Sequence, residues 1–288
     1  MKIKYLHTGF KILITIGIFW YLFKEYTIIL NFEFQKFEYL FYTIGIKSLN
    51  IFLIAFINLF AFLKLNTNIS YSETLKIHAM SLLGNFFSFA KSGTVYKAYT
   101  LKKFYNLNLK RFSLFFVLNQ LLAVFSINML TVIYFSFNYI SEINLIFFQI
   151  IALVICLLLS ITSLLVSMGK VKLKSYSELF NINILKVLII CQTFSTIIVL
   201  IGNYLLSYSL GIELTLADNL IYSSISISSL LISITPNALG IRELILVSFE
   251  NFVQLNSTAL INFSVADRIA DFILLIFVVI CLIIFKKI

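Results

Sequence analysis

Long apolar runs alternate with short polar stretches along the whole chain. The first run covers roughly Phe10 to Tyr26 and is followed by the polar segment Asn31 to Glu38. A second run covers Phe41 to Leu63, with Lys47 near its outer end, where a long side chain can snorkel toward water. Further runs cover Phe112 to Phe137, Leu145 to Met168, Ile184 to Leu206, Leu220 to Thr235 and Ala266 to Phe285. Each approaches or exceeds the roughly 20 apolar residues that a helix needs to cross a bilayer. The alternating short segments of a membrane barrel are not what this pattern contains. Between the second and third runs lies the longest polar stretch, Lys64 to Arg111. Within it Leu75 to Ala90 is moderately apolar but short for a crossing. Ile241 to Leu260 is apolar enough to be half inserted, and pattern alone does not decide whether it crosses or turns back.

These runs predict a single all-α, polytopic membrane domain over residues 1–288, with seven to eight transmembrane helices and two broken or re-entrant segments near Gly93 and Gly240. Composition agrees. Hydrophobic residues make up 61% of the 288 and charged residues only 12%, where a soluble domain carries about 25% charge. Loop charges set the orientation. Lys91, Lys97, Lys102, Lys103, Lys110 and Arg111 fall between Lys91 and Arg111 with no carboxylate among them, and Lys170, Lys172 and Lys174 form a second basic loop. Glu142, Glu213 and Asp218 mark the intervening turns. The positive-inside rule then places the N-terminus and the basic loops in the cytoplasm. The net charge of +10 thus reads as cytoplasmic loops meeting anionic head groups and not as a nucleic-acid surface. The N-terminal run lacks a small-residue cleavage site and is expected to remain as an anchor.

Little in the chain suggests catalysis. Cys156, Cys191 and Cys281 sit apart in apolar runs, and His7 and His78 share no ligand spacing, so no metal or cofactor is expected. There is no phosphate-binding loop and no nucleophile elbow. Two interruptions carry more information. The single proline, Pro236, opens Pro236-Asn237-Ala238-Leu239-Gly240-Ile241-Arg242-Glu243, which breaks a helix and brings adjacent opposite charges. Two readings stay open: a broken helix lining a polar cavity, or a plain cytoplasmic loop. Earlier, Ser81-Leu82-Leu83 leads into Ala90-Lys91-Ser92-Gly93, much as Ser229-Leu230-Leu231 leads into Ala238-Leu239-Gly240, a faint internal repeat. Asp267, Arg268 and Asp271 form a third cluster in the last run. They mark either the mouth of that helix or a deeper site, where Arg242 and Glu243 are the candidate partners.

These segments resemble the lysylphosphatidylglycerol synthase transmembrane-region family, a flippase-like bacterial membrane domain that also occurs alone. The stretch from Pro236 to Glu243 is similar to its Pro/Gly-rich segment ending in Gly-x-x-Glu. Gly93, Lys97, Tyr99 and Leu101 match an earlier motif resembling Gly-Glu-x-x-Arg-x-Tyr-x-Leu, and Arg268 matches an arginine opening the last span. Thr94 replaces the motif's glutamate, the preceding proline is missing, and Leu118-Asn119-Gln120-Leu121 lacks the usual Arg and Asp. The resemblance implies a bacterial inner-membrane protein that handles anionic or lipid-linked envelope lipids and is not itself an enzyme. Gly93, Lys97, Tyr99, Pro236, Gly240, Arg242, Glu243, Asp267, Arg268 and Asp271 would form its head-group cavity. In that reading Arg242 and Arg268 donate to phosphate, and Lys91, Lys102, Lys103, Lys110 and Arg111 meet the anionic surface. The alternatives are an integral membrane transferase acting on lipid-linked sugars, with Glu243, Asp267 and Asp271 as its carboxylates, and a non-catalytic partner of a cytoplasmic envelope-synthesis enzyme.

Overall fold

A computed structural model describes residues 34–65, 67–87, 91–138, 182–232, 238, 240–249 and 253–284. The expected spans at Phe10–Tyr26 and Leu145–Met168, the loop with Lys170, Lys172 and Lys174, and Pro236 lie outside these residues. The described residues contain eight helices and no strand: α1 (Phe37–Lys64), α2 (Tyr71–Phe87), α3 (Ser92–Tyr105), α4 (Leu109–Asn138), α5 (Ile182–Leu210), α6 (Leu216–Ile232), α7 (Ile241–Ser248) and α8 (Ser257–Ile284). Among them α1, α4 and α5 are long and apolar enough to cross a membrane. At 1.5 Å per residue each exceeds the roughly 30 Å hydrocarbon core. The bundle exposes large apolar side chains and buries many polar ones within its apolar core. Phe41, Phe52 and Phe56 on α1, Ile190 and Phe194 on α5, and Phe277 and Ile280 on α8 are exposed, while Asn58, Thr131, Gln192, Asn203, Asn219 and Ser264 are buried. Water would reverse that arrangement; a hydrocarbon solvent selects it.

The order long helix, 17-residue helix, short helix, long helix occurs twice. α1 to α4 start at 37, 71, 92 and 109, and α5 to α8 at 182, 216, 241 and 257, a displacement of 145 to 149 positions. The faint repeat in the sequence is therefore a repeat of structure. Its first helices cross antiparallel: the Gln35 amide donates to the Ser209 carbonyl at one end, and Ser195 donates to Asn50 further along. Asn50 and Ser195 occupy equivalent positions, 145 apart, so that contact lies where the two halves meet. An inverted repeat of this kind is a recurring plan of membrane transporters.

Each half contains an interruption. α2 and α3 fold back on one another with Gly93 at the closest approach. A Cβ on Gly93 would overlap the Ser81 carbonyl oxygen and come within 2.7 Å of the Asn85 amide nitrogen. The Asn85 carboxamide then accepts from the Thr94 amide at 3.1 Å. At the open end Ser70 begins α2. Its backbone amide and hydroxyl, and then the Tyr105 phenol, hold the Glu73 carboxyl below its ordinary range. Burial, with the Glu73 bond and charge, pushes Tyr105 up to about 12. In the second half Gly240 turns the chain at φ 80°, where a side chain is strained, and starts α7.

Two expected boundaries change. α7 has eight residues, about 12 Å, and is too short to cross. The last helix begins at Ser257 instead of Ala266, because the Asn256 side chain caps the Ala259 amide at 2.8 Å. Asp267 is therefore well inside a helix and not at its mouth.

Replacing Gly93 by valine is expected to separate α2 from α3 and to destabilise the folded protein by about 1–3 kcal/mol or more. The exposed change Val95→Ala should cost under about 0.5 kcal/mol. Thermal denaturation in detergent measures both, and equal effects would remove the close-packed hairpin.

Candidate functional site

A cavity of about 400 Å³ lies inside the bundle and is lined by all eight described helices. Its wall divides into a charged part and a neutral part. The charged part rests on Asp267. Lys47 donates to Asp267 Oδ1 at 2.5 Å and to Asp271 Oδ1 at 2.6 Å. Arg242 Nη1 and the Tyr222 hydroxyl reach Asp267 Oδ2 at 2.8 and 3.0 Å. Beside it, Arg268 donates through Nε and Nη2 to Glu243 Oε1 at 3.1 and 2.9 Å, and Ser264 donates to the same oxygen. The Gly240 amide donates to Glu243 Oε2 at 2.7 Å. Three cations thus meet three carboxylates in one neutral network joining α1, α6, α7 and α8. Arg242 and Glu243 are buried at the start of α7 and not in an exposed loop; Asp267 and Arg268 are their partners, and Asp271 pairs with Lys47.

This network redirects several expectations. Lys47 does not snorkel outward; its ammonium spans two carboxylates in the cavity wall. Arg242 uses Nε and Nη2 on the Ser264 hydroxyl and carbonyl, and Arg268 Nη2 also reaches the Ala238 carbonyl. Both guanidinium groups are therefore bound largely by protein acceptors, which is not the arrangement of phosphate donors. Tyr99 is 59% exposed on the far face of α3, under the Lys103 ammonium, and takes no part in the cavity. Gly93 acts through helix packing and Gly240 through its turn.

The neutral part of the wall sets carboxamides and hydroxyls among apolar side chains such as Ile54, Phe86, Phe116 and Leu274. Gln192 on α5 donates to Asn119 on α4 at 2.7 Å. By the repeat displacement Gln192 is the equivalent of Lys47, and Asn119 the equivalent of Asp267. Both contacts cross between the halves, and the two are related by the repeat: α1 meets α8 through an ion pair, and α5 meets α4 through an amide hydrogen bond. The absence of charge in Leu118-Asn119-Gln120-Leu121 thus falls where the repeat-related contact is an amide hydrogen bond.

The basic stretch is also divided. Lys102, Lys103 and Lys110 are exposed and Arg111 is half-buried. Lys91 and Lys97 instead line the cavity, with His78 across from them on α2. Lys97 is 5% exposed and donates to Asn58 Oδ1 at 2.8 Å, with its ammonium over the Phe62 ring at 5.6 Å. His78, Asn58 and Lys47 were not anticipated as site residues. A lone histidine or asparagine in an apolar run carries no signal until the helices are packed together.

Among the described residues no group of three or more His, Cys, Asp or Glu side chains is placed to hold a metal ion. No family model, curated protein or solved structure matches the chain.

Asp267→Asn leaves Lys47 and Arg242 sharing too little negative charge and is expected to cost about 3–5 kcal/mol, the range for breaking a buried ion pair. Gln192→Ala removes the equivalent amide contact and should cost about 1 kcal/mol. Denaturation in detergent compares the two, and equal losses would refute the charged network's dominance.

Proposed function

We propose that this chain is a flippase-like, lipid-handling protein of the bacterial inner membrane, serving envelope lipid or glycolipid assembly. One observation carries the reading. A cavity that carries charged and amide side chains on a largely apolar wall lies between two antiparallel half-repeats, each with an interrupted helix at its wall, inside a bundle whose outer surface is apolar. Substrate sites of membrane transporters are built at such repeat interfaces, from broken helices. The resemblance to the lysylphosphatidylglycerol synthase transmembrane-region family supports the same reading. The exposed Lys102, Lys103 and Lys110 suit an anionic cytoplasmic leaflet or an acidic cytoplasmic partner.

Asp267, Asp271 and Glu243 are each held by a cation. That favours lipid handling over a transferase, whose chemistry asks for a carboxylate free to exchange a proton.

The fold also supports a definite topology. Counting the expected spans near Phe10–Tyr26 and Leu145–Met168 with α1, α4, α5 and α8 gives six crossings, fewer than the seven to eight expected, because the run at Leu220–Thr235 falls on the 17-residue α6, which we read as half of a re-entrant pair. The pairs α2–α3 and α6–α7 enter from opposite faces and return. The return of the second pair has a contact of its own, since the Gln254 amide donates to Asp218 beside the start of α6 at 2.9 Å. With a cytoplasmic N-terminus, this arrangement returns Lys286 and Lys287 to the cytoplasm, in line with the positive-inside rule.

Two experiments test the reading. A fluorescent reporter fused after Ile288 is expected to be active in the cytoplasm, and an alkaline phosphatase fused in the loop around Glu213 to be active outside. The opposite result at either site would exclude the topology. Purified protein in liposomes is expected to expose labelled phosphatidylglycerol or a lipid-linked sugar to an outside quencher faster than protein-free liposomes do. No acceleration with either lipid, or with phosphatidylethanolamine, would sink lipid handling.

A further inference from the structure

The charge balance of the cavity is uneven. Lys47, Arg242 and Arg268 are matched by Asp267, Asp271 and Glu243. Lys97 makes no ion pair among the described residues, and the carboxylates on the cavity wall are already engaged. Its one hydrogen-bond partner is the neutral Asn58 carboxamide. Lys91 lies at the tip of the α2–α3 hairpin, with its ammonium over the Phe116 ring at 5.7 Å, and likewise makes no ion pair there. His78 is 6% exposed, and both of its ring nitrogens are buried without a hydrogen-bond partner. A neutral imidazole has one N–H to donate. A buried ammonium with no counter-charge and a buried imidazole with no partner are both costly, and they share one end of one cavity. An anion there would satisfy them together.

We propose that this end of the cavity is a binding site for a phosphate-bearing group, with Lys97 and Lys91 supplying charge and His78 a hydrogen bond. The site is distinct from the Arg242–Arg268 network, whose charge is internally neutralised. The proposal rests on the lipid-handling reading only for the source of the phosphate, a lipid head group. A phosphodiester carries one negative charge and several acceptor oxygens, which fits a lysine-lined pocket better than a carboxamide-lined one. The amino end of α3 opens on the same region, since Lys91 and Thr94 both line the cavity, and a helix amino end favours negative charge.

The decisive variant is Asn58→Asp. It sets a carboxylate against Lys97 and fills the place of the anion from within. A purely structural Lys97 would be served as well or better by that change; a binding site would be closed by it. The test titrates the full-length protein in a non-ionic detergent with short-chain phosphatidylglycerol, inorganic phosphate and short-chain diacylglycerol, at constant ionic strength. Binding is read as a rise in melting temperature.

Phosphatidylglycerol is expected to stabilise the wild-type protein and diacylglycerol is not. Asn58→Asp and Lys97→Gln should melt no lower than wild type without ligand and bind phosphatidylglycerol about tenfold more weakly or worse. Lys97→Arg should stay within about threefold, and Lys103→Gln, on the exposed face, should match wild type. A charge-assisted hydrogen bond is worth enough for a tenfold change. Undiminished binding by Asn58→Asp, or an equal response to diacylglycerol, would overturn the proposal. An equal response to inorganic phosphate keeps the site and removes the lipid as its source. Binding that depends on Lys97 without any lipid movement keeps this proposal and sinks the transport reading. Lipid movement that Asn58→Asp leaves unchanged does the reverse.

Discussion

Asp267 ties the second half of the molecule to the first. It is one carboxylate in the middle of a long helix, and it accepts from Lys47, Arg242 and Tyr222, each on a different helix. Apolar side chains cannot fix these helices in register, because a lipid chain is as good a neighbour as a leucine. Polar groups that must find partners away from water do fix it. Small displacements of α1, α7 or α8 would leave a charge unmatched in a medium that tolerates none. The broken helix at Gly240 follows from the same constraint. It turns the chain so that Arg242 and Glu243 begin α7 beside Asp267 and Arg268, and the freed amide of Gly240 is taken up by Glu243.

The repeat shows what this arrangement costs and where it is relaxed. The two halves meet through Lys47 and Asp267 at one place and through Gln192 and Asn119 at the place the repeat makes equivalent. A buried ion pair loses several kcal/mol when one partner is removed, whereas an amide hydrogen bond is worth about 1 kcal/mol. The two contacts between the halves therefore share a layout and differ in strength. The α1–α8 contact is locked in a neutral charge network, and the α4–α5 contact is held by a single amide hydrogen bond.

Much of this was legible in the sequence, and the misses have physical causes. α1, α4 and α5 were read nearly to their ends, because crossing a bilayer demands an apolar run of fixed length. The interruptions near Gly93 and Gly240 were legible because glycine and proline act locally. The pairing was not. Lys47 in an apolar run has two solutions, snorkelling to water or meeting a carboxylate 220 positions away, and only packing chooses between them. Tyr99 matched a motif resemblance, but on α3 its position faces away from the cavity. The start of α8 was read too late because Asn256 and Ser257 look like loop residues, although a polar side chain just ahead of an apolar run is how a helix begins.

The uncompensated end of the cavity is harder to explain as structure alone. A chain that already matches three cations with three carboxylates has the means to match a fourth, and Asn58 stands where a carboxylate would do so. Asn58 instead gives Lys97 a hydrogen bond without neutralising it. The carboxamide orients the ammonium, and the Phe62 ring lies against it. A fixed carboxylate would compete with any incoming anion at every moment, while a carboxamide holds the lysine in place and leaves its charge available. His78, buried without a partner on the facing helix, follows the same logic. Folding tolerates the deficit because it is confined to one end of a cavity, and the locked network at Asp267 supplies the stability that this end gives up.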